Sequence, residues 1–222
     1  MKNKEIKDGE LFEERFGFKA RRSSHLFYLI ILFLVLAVCV FRLVWTSTFG
    51  GVTVDGNSMY STLLNEEQLL MRNVKNGKGV KRGDVIVVYV CGYKEFGAGT
   101  PGGKTEYLIM RLIAVEGDHV RCEDGQVQIR YGGEGAWVDL YEPYAYYTNK
   151  QAYDFDTYIV EEGEVFFLGD NRNHSQDSRY NEKYGSRLDD LFKQTDIVGV
   201  VPDWAIEHKE TLAKVLFWNS NS

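Results

Sequence analysis

The feature that most constrains this chain is a long apolar segment near its N-terminus. Residues 26–41 read LFYLIILFLVLAVCVF, sixteen residues without a charge, and residues 43–45 extend the run past a single Arg42. A helix of about twenty apolar residues spans the roughly 30 Å hydrocarbon core of a bilayer. Arg42 lies near the end of the run, where its side chain can reach the headgroups, and Trp45 can anchor the helix at the interface. We therefore predict a transmembrane helix over residues 26–45.

A cleaved signal peptide and a buried helix of a soluble domain both agree less well with this segment. The run is long for a signal peptide, and residues 46–49 (TSTF) offer no Ala-x-Ala-like cleavage site. A buried helix of a soluble domain normally keeps a polar face, which this segment lacks.

The charges on either side predict the orientation of the helix. Residues 1–25 contain seven Lys or Arg, and the positive-inside rule keeps such a flank in the cytoplasm. We expect a cell-membrane protein with a cytoplasmic tail over 1–25 and one extracytoplasmic domain over 46–222. Since the whole chain carries −6 and its first 45 residues carry +3, this domain carries −9. An acidic domain is a poor candidate for binding nucleic acid.

The exported segment is typical of a mainly β fold. Short runs rich in Val, Ile, Tyr and Phe alternate with glycine turns, and no helical segments separate them. We predict strands over 84–90, 106–115, 126–130, 164–168 and 197–201, with a glycine-rich hairpin tip or loop over 92–103.

The cysteine and histidine pattern predicts neither a disulfide framework nor a metal site. Cys39 lies in the apolar segment, and Cys91 and Cys122 could pair, although nothing in the sequence requires it. No Cys/His cluster has the spacing of zinc ligands, and no glycine-rich phosphate loop is present, so we expect no cofactor.

Two further segments leave alternatives open. Residues 141–158 contain six Tyr and one Phe, which fits a packed loop or, alternatively, a patch that contacts a membrane surface or a peptide. Residues 205–218 have a helical composition and an apolar end, and they either cover the domain or touch the bilayer.

A short block just beyond the membrane segment carries the chemistry. Residues 54–63 read VDGNSMYSTL, which resembles the nucleophile motif Gly-x-Ser-Met-x-Pro-Thr-Leu of type I signal peptidases. These are membrane-anchored proteases that remove signal peptides from exported proteins. Gly56 and Ser58 match the motif, whereas Ser61 stands where the family has proline.

Three more blocks follow in the order of that family. Residues 81–87 (KRGDVIV) resemble its Arg-Gly-Asp-Ile-Val block, residues 110–118 (MRLIAVEGD) resemble Lys-Arg-Val-Ile-Ala-Val-Glu-Gly-Asp, and residues 169–179 (GDNRNHSQDSR) match Gly-Asp-Asn-Arg-x-x-Ser-x-Asp-Ser-Arg. The resemblance reaches from residue 54 to about 201, nearly the whole exported domain, and it implies a β-rich fold of the signal-peptidase or LexA type.

The resemblance implies a serine–lysine dyad that cleaves signal peptides. Ser58 is the implied nucleophile, its backbone N–H helps to stabilise the oxyanion, and a buried neutral lysine takes the hydroxyl proton. Ser175 is implied to hydrogen-bond that lysine, and Asp177 and Arg179 to form an ion pair that shapes the site. Gly56 provides room for the substrate but no second side-chain donor.

The general base is missing from this pattern. Met110 occupies the lysine position, because residues 111 and 115–118 align the block without a gap. A thioether is not a base at any relevant pH. Three residues could supply a base instead, but each is poorly placed: Lys104 lies roughly 20 Å away along an extended strand, the odd offset of His174 turns it away from Ser175, and His119 follows a surface turn.

Three hypotheses follow. The first is a signal peptidase I-type serine endopeptidase acting on exported precursors, with its activity in doubt because of Met110. The second is a non-catalytic homologue that binds exported proteins, such as pilus subunits, as a chaperone or assembly factor. The third, a self-cleaving regulator of related β-fold, is disfavoured by the membrane segment and the acidic exterior.

Overall fold

The structure is a computed structural model that describes residues 24–90, 107–150, 153–179 and 192–216. The chain divides into two compact units at the junction between Thr46 and Ser47. Helix α1, Ser24–Thr48, contains the apolar segment. Within the described residues, it is the one helix that is long and apolar enough to cross a membrane.

The second unit is built on two antiparallel sheets. Strands β1 (Phe49–Thr53), β2 (Gln68–Asn73), β3 (Val85–Tyr89), β4 (Tyr107–Val115), β9 (Val165–Leu168) and β10 (Ile197–Val201) form a six-stranded sheet in the order β1-β2-β10-β3-β4-β9. Strands β5 (His119–Glu123), β6 (Gln126–Arg130), β7 (Val138–Asp139) and β8 (Phe155–Ile159) form a four-stranded sheet in the order β7-β6-β5-β8. Helices α2 (Asp203–Glu207) and α3 (Lys209–Leu216) follow β10.

The most buried strands lie inside the larger sheet and read as continuous apolar runs. Strand β4 is paired with β3 on one side and β9 on the other, and six consecutive residues of β4 are buried. A strand covered on both faces needs no polar alternation, which explains its sequence LIMRLIAV. One face of β4 joins a cluster with Ile86, Phe167 and Phe192 that contains Met110.

The predicted mainly β fold with an N-terminal helix is confirmed, and all five predicted strands are present within a residue or two of their expected bounds. The sequence did not reveal the five strands β1, β2, β5, β7 and β8. Strand β1 contains two glycines and β7 has only two residues, so neither shows a run of strand-favouring side chains. Strand β5 reads HVRCE, and its alternating burial becomes visible only once its partner β6 is known. The predicted loop 92–103 and Cys91 lie outside the described residues.

The tyrosine-rich segment is largely a packed part of the domain. Tyr153 and Tyr158 are buried in a core cluster with Phe166, and rings of this segment contact one another edge to face. Tyr141, in contrast, is exposed. The packed-loop interpretation therefore describes the second half of the segment, where β8 also begins.

The C-terminal helices cover the domain. Ile206 and Leu212 pack against a core cluster that contains Leu69, Leu70 and Val85. Lys209 fixes α3 further by donating to the Thr62 carbonyl and by pairing with Glu67. Residues 217–222 lie outside the described part of the chain.

Candidate active site

Ser58 lies on a turn that leaves strand β1. Gly56 adopts a φ of +97°, a conformation that favours glycine, and its N–H donates to Asn65 Oδ1 at 2.7 Å. Met59 is buried in the core, so the residue after Ser58 anchors the turn while Ser58 itself remains partly exposed. Ser58 therefore lies on a turn that is fixed at both ends, by Gly56 before it and by Met59 after it.

The loop after strand β9 holds this turn from the other side. The N–H of Asn171 donates to the Ser58 carbonyl at 2.9 Å, and Asn171 Nδ2 donates to the Asn57 carbonyl, also at 2.9 Å. Gly169 allows the close approach, because a Cβ there would collide with the Ser175 side chain and lie 2.6 Å from the Ser58 carbonyl oxygen. Glycine at 169 is thus required by packing, and Ser58 and Ser175 are neighbours across it.

Met110 lies beside Ser175 in the interior of the larger sheet. Its side chain is 1% exposed, and the Ser175 hydroxyl donates to Met110 Sδ at 3.8 Å. Sulfur in a thioether is a weak acceptor and carries no titratable proton. The position that the resemblance assigns to the general base is therefore apolar, buried and adjacent to Ser175.

Asp177 and Arg179 form the ion pair that the resemblance implied. Arg179 donates Nε and Nη2 to the two Asp177 oxygens at 2.8 and 2.9 Å, and the Asp177 side chain is 1% exposed. Asp177 also accepts the Gly169 N–H at 3.2 Å. The guanidinium lies 4.2 Å from the ring centroid of Tyr153. This pair therefore supports the backbone of Gly169, against which Ser58 and Ser175 pack.

A second buried ion pair, which the sequence did not reveal, ties the Ser58 turn to the same loop. Arg111 donates to both oxygens of Asp170 at 2.8 and 2.7 Å, and the Thr62 hydroxyl donates to Asp170 Oδ2 at 2.5 Å. The Arg111 guanidinium stacks 3.8 Å from the ring centroid of Tyr144, and burial raises the pKa of that tyrosine. A charge within the apolar run of β4 is the sequence signal that could have revealed this pair.

Two other arginines of the blocks also have buried acidic partners. Arg172 pairs with Glu142 at 2.6 Å, both side chains being almost fully buried. Arg82 pairs with Asp118 at 2.6 Å. Burial by itself raises the pKa of Asp118, but hydrogen bonds from Arg82 and from the Val115 and Gly132 N–H groups outweigh it, so the pKa lies below its ordinary value. The blocks thus meet through charge-assisted hydrogen bonds.

The two histidines that could substitute for the missing base lie on different elements of the domain. His174 is exposed, and His119 lies on the smaller sheet against Gly133. Lys104 is outside the described residues. Among residues 24–90, 107–150, 153–179 and 192–216, no side chain forms a hydrogen bond with the Ser58 hydroxyl.

An exposed pair of tyrosines borders the Ser58 turn. The rings of Tyr60 and Tyr146 meet edge to face with their centroids 5.0 Å apart, and each side chain is about 40% exposed, at 40% and 39%. The Tyr146 N–H donates to the Asp170 carbonyl, so this ring is held next to the loop that contacts Ser58. The Tyr60–Ser61 peptide bond is cis.

Comparison with known proteins shows which family the sequence resembles. The family model described as "Signal peptidase, peptidase S26" matches residues 27–204. Signal peptidase I S of Bacillus subtilis (strain 168) is 31% identical over 156 residues, which cover 66% of this chain and 74% of that protein. Signal peptidase I P of Bacillus subtilis subsp. natto is 31% identical over 194 residues, covering 83% and 91%. A solved signal peptidase I from Enterococcus faecalis V583 is 28% identical, with a TM-score of 0.38, and the match covers 56% of this chain and 98% of that one.

Proposed function

Because this chain belongs to the signal peptidase family S26, we propose that it is a membrane-anchored signal peptidase I-type protein that binds the signal peptides of exported precursors at Ser58. The support is the arrangement around that residue. Ser58 stays partly exposed on a turn held by Asn171, and the Asp177–Arg179 pair supports the loop behind it. The exposed rings of Tyr60 and Tyr146 provide an apolar border for a peptide.

We infer that helix α1 crosses the cell membrane once and that the domain from residue 46 onwards lies outside. The apolar helix and the seven basic residues before it support this orientation. Ser58 follows the last apolar residues by about a dozen positions, so the anchor keeps the site near the outer bilayer surface. There the C-terminal end of a translocated signal peptide emerges, and anchoring raises the effective concentration of the encounter.

Met110 supports a further part of the proposal, which concerns the fate of a bound peptide. Attack of Ser58 Oγ on the scissile carbonyl requires a base to accept the hydroxyl proton, and the same group must later protonate the leaving amine. The buried thioether next to Ser175 can do neither. We propose that this chain binds signal peptides and cleaves them about 10²–10⁴-fold more slowly than it would with a base at residue 110.

Binding and cleavage are tested separately with one fluorescent peptide that spans a signal-peptide cleavage region. The full-length chain in detergent micelles should bind it, measured by fluorescence anisotropy, while mass spectrometry detects little product. Ser58→Ala should bind equally well and remove any residual product. Failure to bind would refute the proposal, and residual cleavage that survives Ser58→Ala would refute the role of Ser58.

A second candidate, a chaperone or assembly factor for exported proteins, is favoured by the same pair of facts: the scaffold around Ser58 is complete, whereas the base position is apolar. Such a role needs binding alone. In cells lacking this gene, Ser58→Ala should restore assembly of the dependent surface protein as fully as the unaltered chain. Loss of function in Ser58→Ala would exclude it.

A further inference from the structure

The side chain of Asn171 contacts the peptide unit that contains the Ser58 N–H. Asn171 Nδ2 donates to the Asn57 carbonyl at 2.9 Å, and the Tyr60 N–H donates to the same carbonyl over a longer distance of 3.2 Å. That carbonyl and the N–H of Ser58 belong to the same planar trans peptide unit, in which the two groups point in opposite directions. A hydrogen bond that fixes the carbonyl therefore also fixes the N–H.

The next peptide unit is held by the same residue. The Asn171 N–H donates to the Ser58 carbonyl at 2.9 Å. One asparagine thus holds the two peptide planes on either side of Ser58, the first with its side chain and the second with its backbone. Substitution of the side chain removes the first contact and leaves the second available.

The Oδ1 oxygen of Asn171 lacks the kind of contact that its Nδ2 donor makes, which indicates that the donor is the functional group of this amide. Asn171 is 5% exposed, and among the described residues its Oδ1 has no hydrogen-bond partner. Burying an unpaired carbonyl oxygen destabilises a fold, and a leucine of similar volume would avoid that penalty. What the amide adds at this position is the bond from Nδ2 to Asn57.

We propose that Asn171 is a positioning residue that aims the Ser58 N–H at the oxyanion formed when Ser58 attacks the carbonyl of a bound peptide. This rests on the proposed function, since it requires that a peptide carbonyl lie at Ser58. Removing one donor of an oxyanion site typically lowers the rate by about 10²–10³. Misaiming a donor that is still present should have a smaller effect, about 10- to 100-fold on the affinity for a tetrahedral adduct.

The first part of the test measures the direction of the N–H itself and needs neither substrate nor activity. The full-length chain is labelled with ¹⁵N-serine, and the residual dipolar coupling of Ser58 is compared with those of the other ordered serines. Asn171→Asp keeps the shape but replaces the donor by an oxygen that repels the Asn57 carbonyl, and Asn171→Ala is the second variant in case the first fails to fold. Both should change the Ser58 coupling selectively.

The matched control is Asn173→Asp. Asn173 lies in the same loop, but its amide contacts Thr148 and Asn149 rather than the Ser58 turn. This variant should leave the Ser58 coupling unchanged. A Ser58 coupling unaltered by Asn171→Asp and Asn171→Ala would overturn the proposal, whatever the chain does to peptides.

The second part compares two ligands: a signal-peptide fragment ending in a boronic acid, which forms a tetrahedral adduct with a serine hydroxyl, and the same fragment ending in an amide. Asn171→Asp should weaken the boronate by about 10- to 100-fold and leave the amide ligand unchanged. An equal loss for both ligands would overturn the positioning role. If neither ligand binds the unaltered chain, the proposed function fails, and the dipolar coupling still decides the role of Asn171.

Discussion

Replacing Met110 by lysine tests whether the lack of a base at this position limits cleavage. The Met110 side chain is 1% exposed among apolar neighbours that include Ile86, Leu112 and Phe167. An ammonium there loses its hydration, so the pKa of the introduced lysine should fall by about 3–5 units from roughly 10.4. At pH 8 the amine is then mostly neutral and can accept the proton of Ser58. Since lysine and methionine have similar stems, the fold should accommodate the change.

The same shift predicts how stability depends on pH. Above pH 10.4 the amine is neutral in the folded and unfolded states, and Met110→Lys carries no charge penalty. As the pH falls below that value, the unfolded chain binds a proton that the folded chain resists. The penalty grows until the folded pKa is reached, to about 4 kcal/mol for a shift of 3 units. Denaturant unfolding of Met110→Lys at pH 6 and pH 10 measures this difference.

Cleavage of a preprotein in detergent completes the test. Met110→Lys should cut about 10²–10⁴-fold faster than the unaltered chain. Met110→Leu, which keeps the volume without a base, should match the unaltered chain, and Met110→Lys combined with Ser58→Ala should be inactive. If the unaltered chain already cleaves as fast as Met110→Lys, a base at residue 110 is not what limits cleavage.

Three further predictions concern the framework around the site. Asp118 is ionised with a lowered pKa, so its bonds to Arg82 stabilise the fold above pH about 4, and this stabilisation is lost as the pH falls through the folded pKa. Asp118→Asn should therefore lower the free energy of unfolding more at pH 7 than at pH 3, and an equal loss at both pH values would contradict the assignment. Asp177→Ala leaves the largely buried Arg179 without its partner and should destabilise the fold by about 3–5 kcal/mol in urea unfolding. Asp177→Asn keeps an acceptor and should destabilise the fold less. A loss below about 1 kcal/mol for Asp177→Ala would refute the role of the pair. Burial raises the pKa of the Cys122 thiol to about 12. In a variant whose other two cysteines are replaced by serine, Cys122 should react with a disulfide reagent at pH 8 about 10³-fold more slowly in the folded chain than in the unfolded chain. Comparable rates would show that the thiol is accessible.

The distribution of predicted and missed strands follows from where each strand lies. Strands β3, β4, β9 and β10 are mostly buried and appear as apolar runs in the sequence. Strand β1 has glycines at Gly50 and Gly51, and it becomes a strand because β2 pairs with it along its whole length. The local composition of a segment predicts whether a strand is buried, whereas it does not predict hydrogen bonding to a partner strand that is distant in the sequence.

The sequence by itself determined the apolar N-terminal helix, the position of Ser58 and the absence of lysine at residue 110. These depend on contiguous hydrophobicity and on short blocks of residues whose spacing is local. Only the tertiary structure decided what surrounds them. Asn171 reaches the peptide unit before Ser58 across 114 residues of chain, and Arg111 reaches Asp170 across 59. Such contacts depend on how the strands assemble, because a buried charge or amide is tolerated only where the assembled fold provides its partner.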